Sequence, residues 1–271
     1  MRVLIIGCGD LGSRVGLSLA ALGHTVYGMR RNAAQIPAPI TPIAADVQKL
    51  KSTDLPSALD ALVIALSPDA RDEASYRHTY VDGLQAVLNA ANGQAPKRVW
   101  VSSTAVYGDQ QGGAVDEETP CAPLGFNGRV LLEAERLALG AGSAVIRCGG
   151  IYGPGREWLI RRARVGSTAS ALRWTNRIHV DDAAALIVQV LIEAWPAQIY
   201  NAVDCEPALE SVVLTDLAQR VGGPAPHIDS APVADNKQVS SAKIMRMGFV
   251  HQFRSWREGY AALLAQPRGH E

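Results

Sequence analysis

The first thirty-one residues, MRVLIIGCGDLGSRVGLSLAALGHTVYGMRR, constrain this chain more than any other stretch. Val3–Ile6 is a short apolar, β-branched run of the kind buried on both faces of a parallel sheet. It stops at Gly7-Cys8-Gly9-Asp10-Leu11-Gly12, a G-x-G-x-x-G turn. Ser13–Leu22 carries apolar residues at helical spacing and ends on Gly23, a helix-stop signal, and His24–Met29 reads as a second strand. Each glycine of the turn has a physical job. The first permits the tight turn, the second lets backbone approach a pyrophosphate, and the third lets helix pack close to strand. The helix N-terminus then presents its free N–H groups and positive dipole end to the phosphates. A glycine-rich turn alone is weak evidence, but one set between strand and helix in a βαβ unit of about thirty residues reads as a dinucleotide cradle. Gly7, Gly9, Asp10, Leu11 and Gly12 are its expected lining.

Arg30 lies eighteen residues past Gly12, where an NAD-binding unit usually carries an acid for the ribose 2′-hydroxyl. Arg30 and Arg31 in that place suit a 2′-phosphate, which a guanidinium grips bidentately. The expected cofactor is therefore NADP, with NAD the alternative. Two solvated loop arginines are the competing reading.

Downstream, apolar strands alternate with helices. Ile43–Val47, Ala61–Leu66, Arg98–Ser103 and Ala144–Arg147 read as strands, and Tyr76–Asn92 and Leu124–Leu139 hold helices. This alternation predicts an α/β fold with a Rossmann-type, doubly wound parallel sheet. Ligands on such sheets collect at the carboxyl ends of the strands. Asp46, Val47, Ala65, Leu66, Ser102, Gly149 and Ile151 fall there and complete the predicted cofactor site. From about Gly149 the pattern turns irregular. Asp181 and Asp182 read as the cap of a helix over Ala183–Trp195, Gln198–Val203 as a strand, and Leu214–Val221 and Arg254–Leu264 as helices. The expected organisation is a cofactor domain over residues 1–150 and a smaller, partly discontinuous C-terminal substrate lobe over 151–271. Residues from about 178 to 203 would return to the Rossmann core.

Length and composition bound the rest. A chain of 271 residues with 48% hydrophobic content can build a sizeable core. Twenty-six basic and twenty-six acidic residues balance, which speaks against nucleic acid or an anionic membrane as partner and leaves a small molecule. Cys8, Cys121, Cys148 and Cys205 are scattered without metal-like spacing, as suits reduced thiols in a cytoplasmic protein, so no metal site is expected. The N-terminal apolar stretch is broken by Asp10 and Arg14, and no targeting segment is expected. The Ala183–Trp195 helix is interrupted by Gln189 and Glu193 and is too short to span a bilayer. Oligomeric state stays open, a homodimer included.

Seven stretches carry a resemblance: GCGDLG at 7–12, YVDGLQAVLNAA at 80–91, SSTAVYG at 102–108, DEETPCAP at 116–123, RCGGIYGPGR at 147–156, RIHVDD at 177–182 and YNAVDCEP at 200–207. On these the chain resembles the extended short-chain dehydrogenase/reductases, the NAD-dependent epimerase/dehydratase group. The resemblance runs nearly end to end. It implies a Tyr-x-x-x-Lys pair on a helix, the tyrosine moving a proton and the lysine tuning it, with a Ser or Thr polarising the same substrate oxygen. Ser103 takes the position of that hydroxyl. The helix here reads NGRVLLEAE over Asn127–Glu135, so Asn127 replaces the tyrosine and Leu131 the lysine. Neither can titrate near neutral pH.

Other departures follow. Tyr80 stands where the group usually has asparagine, Thr175 stands where sugar-nucleotide members place an arginine, and the glycine turn is shorter than usual. The chain thus looks like an atypical member that keeps fold and cofactor site while losing the standard dyad. Tyr80 and Tyr107 are the candidate replacement acids beside Ser103, although Tyr107 more simply fills the turn beside the sheet. His179 reads as a structural histidine. Arg156, Arg161, Arg162 and Arg164 form a basic run that is either a solvated helix face or a contact for an anionic substrate. Two functions stay open: an NADP-dependent oxidoreductase or epimerase/dehydratase-like enzyme with reassigned proton chemistry, and a non-enzymatic NADP(H)-binding sensor or regulator.

Overall fold

The computed structural model describes residues 1–91 and 93–265. Asn92, the expected end of the second helix, and residues 266–271 of the expected C-terminal lobe lie outside the described residues. Seven strands form the main sheet: β1 (Arg2–Ile6), β2 (Thr25–Arg30), β3 (Thr41–Ala44), β4 (Ala61–Ile64), β5 (Lys97–Ser103), β6 (Ala144–Cys148) and β7 (Ile199–Ala202). Their spatial order is β3-β2-β1-β4-β5-β6-β7 in a parallel, Rossmann-type sheet. β1 lies in its interior with Val3–Ile6 fully buried, which is why its sequence is continuously apolar rather than alternating. Strand order reverses between β1 and β4, the switch point at which such sheets bind ligands.

Four helices matter for the site or its frame: α1 (Asp10–Ala21), α2 (Gly83–Ala91), α3 (Phe126–Gly140) and α4 (Val180–Ile192). α1 starts three residues earlier than the apolar spacing suggested, because the glycine turn feeds straight into it with Gly9 as N-cap. The expected Tyr76–Asn92 helix is instead three pieces. Asp72 caps a turn over Glu73–Tyr76, Arg77–Asp82 is π-helical, and α2 completes the run. β3 ends at Ala44, and Asp46 turns the chain by accepting the Gln48 N–H at 3.1 Å. Trp100, Leu4, Ile6, Leu62, Ile64, Leu84 and Val87 form the core around this sheet. Each large apolar side chain so buried is worth about 1.5–3 kcal/mol.

The chain divides into two compact units. The first comprises Met1–Val106, Gly125–Arg147 and Ala184–Tyr200. The second takes Tyr107–Leu124, Cys148–Ala183 and the described residues from Asn201 onward. Tyr107–Leu124 is thus an excursion into the second unit from within the stretch read as the cofactor domain. The second unit has its own core of Tyr152, Ile160, Val213, Leu214, Leu217, Trp256 and Tyr260. Tyr152 and Tyr260 stack with ring centroids 4.4 Å apart.

Asp181 and Asp182 do not act as the expected cap, because both lie inside the first turn of α4. The His179 Nδ1 takes the Asp181 N–H at 3.3 Å, while Asp182 accepts the Gln252 and Phe253 N–H groups at 2.6 and 3.1 Å. His179 is buried and structural, as expected. No helix among the described residues is long and apolar enough to cross a membrane.

Candidate cofactor site

The three glycines of the turn differ in what surrounds them. Gly7 has φ +82°, and a Cβ there would stand 2.3 Å from the Ala65 carbonyl oxygen. A Cβ on Gly12 would stand 2.7 Å from the Gly7 carbonyl oxygen and 3.0 Å from Ile5 Cγ2. Protein packing alone requires glycine at both positions. Gly9 is different: its φ of −89° is ordinary, and a Cβ there meets only the Gly7 carbonyl oxygen at 4.0 Å. The fold therefore leaves open space where the second glycine would let a phosphate approach.

That space belongs to a cleft of about 450 Å³ within the first unit. Gly7, Gly9, Ala65 and Leu66 line it beside Arg30, Arg31, Asp46 and Val47. Arg30 is half-buried, with its guanidinium 3.4 Å from the Cys8 carbonyl oxygen. Arg31 is exposed and already engaged, donating to both Asp69 carboxylate oxygens at 2.7 and 2.5 Å. Those hydrogen bonds hold the Asp69 carboxyl below the usual carboxylate range. Asp10 stands in the first turn of α1, 3.0 Å from Arg14, and Leu11 is buried behind it.

The cleft also contains residues the sequence did not flag as cofactor-lining: Asn32, Gln48, Pro68, Asp69, His78 and Thr79. Asp69 follows a Ser-Pro turn and offers no signal of its own. Its position opposite Arg31 is visible only once the loops after β2 and β4 are placed.

Other expected site residues fare unevenly. Ser102 faces inward: it is buried, and its hydroxyl donates at 2.6 Å to Glu135, which is paired at 2.7 Å with buried Arg147. Its side chain is thus committed to the frame, not the cofactor. Ser103, next along the strand, is only half-buried, and its Oγ accepts the Ala105 N–H at 3.2 Å. Tyr80 packs edge-on against Trp100 and Tyr76, and burial pushes its phenol up to about 12. Tyr107 is fully buried, with its hydroxyl donating to Asn201 Oδ1 at 2.7 Å. That seat makes Tyr107 a structural residue of the second unit and corrects its candidacy as an acid. Leu131 is buried, where the resemblance expects a lysine.

Gly149 and Ile151 lie in the second unit, where a Cβ on Gly149 would stand 2.9 Å from the Asn176 carbonyl oxygen. Within the basic run, Arg162 pairs with Glu210 at 2.6 Å and lies over the Trp158 ring at 4.6 Å. That residue serves its own unit.

Comparison with known proteins agrees with this geometry. Residues 3–202 match the NAD dependent epimerase/dehydratase family. Protein YeeZ of Escherichia coli strain K12 is 29% identical over 268 residues, covering 93% of this chain and 96% of its own. A Methylobacillus flagellatus structure, named provisionally as an NAD-dependent epimerase/dehydratase, is 36% identical with a TM-score of 0.81, covering 97% of both chains. The UDP-glucuronic acid 4-epimerase of Bacillus cereus, solved with NAD, shares the fold at 17% identity and a TM-score of 0.81, over 97% of this chain and 96% of its own. With the parallel sheet, its switch point and the open glycine turn in place, the chain belongs to the NAD-dependent epimerase/dehydratase family.

Proposed function

We propose that the chain binds NADP(H) in preference to NAD(H) and works as an oxidoreductase or epimerase/dehydratase-like enzyme on a small carbonyl or alcohol. The observation that carries this reading is Gly9, whose missing side chain opens onto the cleft that holds Arg30. Packing within the protein calls for glycine at Gly7 and Gly12, whereas at Gly9 it leaves room for a side chain, which supports an approaching ligand. NAD bound by a fold neighbour supports the choice of ligand class. Arg30 is a half-buried cation in the cleft and supports a 2′-phosphate there, while Arg31 beside it is paired with Asp69 and would share the phosphate by exchanging that pairing. Four free thiols support a reducing compartment such as the cytoplasm.

When bound, the dinucleotide supplies the hydride acceptor or donor. Ser103 is the one member of the usual polar set present, and its role is to orient a substrate oxygen by a hydrogen bond. Tyr80, with its phenol held protonated, remains the candidate donor on the first unit.

The test measures thermal stabilisation by each cofactor. NADP(H) at 100 times its dissociation constant should stabilise the protein by about 2.7 kcal/mol, with less from NAD(H) at equal concentration. Arg30→Asp should erase or invert that preference. Equal stabilisation of the wild type by both cofactors would refute it. A second reading, cofactor binding without turnover, is favoured by buried Leu131 and by the structural seat of Tyr107. Turnover on a panel of small aldehydes and ketones, lost in Ser103→Ala, separates the two.

A further inference from the structure

Beyond the cofactor cleft, the second unit gathers three soft or borderline metal ligands. Cys205 follows β7, and its Sγ lies 3.6 Å from Met245 Sδ and 3.7 Å from His251 Nδ1. The imidazole is already oriented. Its Nε2–H donates to the Val203 carbonyl oxygen at 2.9 Å, which leaves the Nδ1 lone pair facing the thiol. A backbone carbonyl on the far ring nitrogen is the usual outer-shell partner of a metal-binding histidine. The Ser241 hydroxyl points at the same sulfur from 3.8 Å, and the Cys205 N–H is tied to the Arg254 carbonyl oxygen at 2.9 Å. Phe249 packs edge-on to the His251 ring at 4.9 Å.

We propose that Cys205, Met245 and His251 form a binding site for a monovalent soft metal ion, copper(I) in class. A metal about 2.3 Å from sulfur and about 2.0–2.1 Å from imidazole nitrogen spaces its ligands roughly 3.6–4.0 Å apart. The two separations from Cys205 Sγ, to Met245 Sδ and to His251 Nδ1, both fall in that range. The donor set decides the metal: thiolate with thioether selects copper(I), whereas zinc is held by thiolate, imidazole and carboxylate. Among the described residues no group of three or more His, Cys, Asp and Glu side chains is placed to hold a metal, so the cluster depends on its methionine. Charge agrees. One thiolate neutralises one monovalent ion, while a divalent ion would leave net charge beside a His251 that is only 6% exposed. Binding replaces the Cys205 thiol proton, which passes to solvent. Met245 is 39% exposed and gives the ion a way in.

The experiment is anaerobic titration of the full-length protein with copper(I) against a chromophoric copper(I) chelator. One equivalent should leave the chelator for the wild type and for Cys121→Ala, whose thiol lies elsewhere. Cys205→Ala should withdraw none. Met245→Leu keeps the side-chain volume and should weaken binding by roughly tenfold or more, the scale on which even outer-shell partners act. X-ray absorption of the loaded protein should show two sulfurs and one nitrogen around the ion. No withdrawal by a folded wild type, equal withdrawal by Cys205→Ala, or tighter binding of zinc(II) would each overturn the assignment.

Discussion

Gly9 and Gly12 stand three residues apart and should respond oppositely to one added methyl group. At Gly9 φ is −89° and the space open, with the Gly7 carbonyl oxygen 4.0 Å from an added Cβ, so alanine meets no clash in the protein. It gives up a good N-cap residue at a cost of up to about 1 kcal/mol. It also restricts the unfolded chain, a gain of about 0.4–1 kcal/mol. The two offset, and Gly9→Ala should melt near the wild type while losing cofactor-induced stabilisation. At Gly12 the helix-propensity gain of about 0.8–1.0 kcal/mol opposes a contact at 2.7 Å with a backbone oxygen that cannot swing away. The clash wins, and Gly12→Ala should lower stability by about 1–3 kcal/mol before any ligand is added. Paired melts with and without NADP(H) check both. A Gly9→Ala protein with normal cofactor stabilisation would show that the open space serves something else.

At the scale of elements, three are fastened by one buried cluster. Ser102 on β5 donates to Glu135 on α3, which takes a forked ion pair from Arg147 on β6. Glu135 and Arg147 are 1% and 2% exposed, so removing one partner strands a charge. Glu135→Leu should destabilise by about 3–5 kcal/mol, and Arg147→Met in the same protein should restore much of that loss. Urea unfolding of the two variants is the check, and a mild effect of Glu135→Leu alone would contradict it. The same cluster shows what the sequence reveals. The strands of the sheet are legible as apolar runs, and the glycine turn is legible from its setting between strand and helix. Which of Ser102 and Ser103 faces inward is not, because adjacent strand residues point to opposite faces and both are small and polar. The π-helical turn at Arg77–Asp82 escapes for a related reason, since side-chain spacing tuned to 3.6 residues cannot announce a wider turn. Asp69 and Gln48 enter the cleft through loop geometry, which apolar periodicity does not encode.

For the whole molecule, zero formal net charge leaves pH to act through particular buried groups. Asp204 is 2% exposed, and burial pushes its carboxyl up to about 7, against the pull of the Glu206 N–H and Arg177. Burial raises Asp182 as well. An unfolded aspartate titrates near 3.9. Between about pH 4 and 7 the folded chain therefore keeps a proton on Asp204 that the unfolded chain has released. Stability from this group is complete below about pH 4, declines as pH rises, and is lost once pH passes about 7. His24, lowered mainly by burial, acts in the opposite sense, since its stabilising neutral form is lost as pH falls. The slope of the wild-type curve is therefore a mixture, and a variant isolates the aspartate. Asp204→Asn keeps the side chain's shape and its acceptor for the Glu206 N–H without a titrating proton. Urea midpoints between pH 5 and 8 should decline less steeply in this variant than in the wild type. Parallel curves would mean that Asp204 is ionised throughout and that the buried Arg177 beside it outweighs its desolvation.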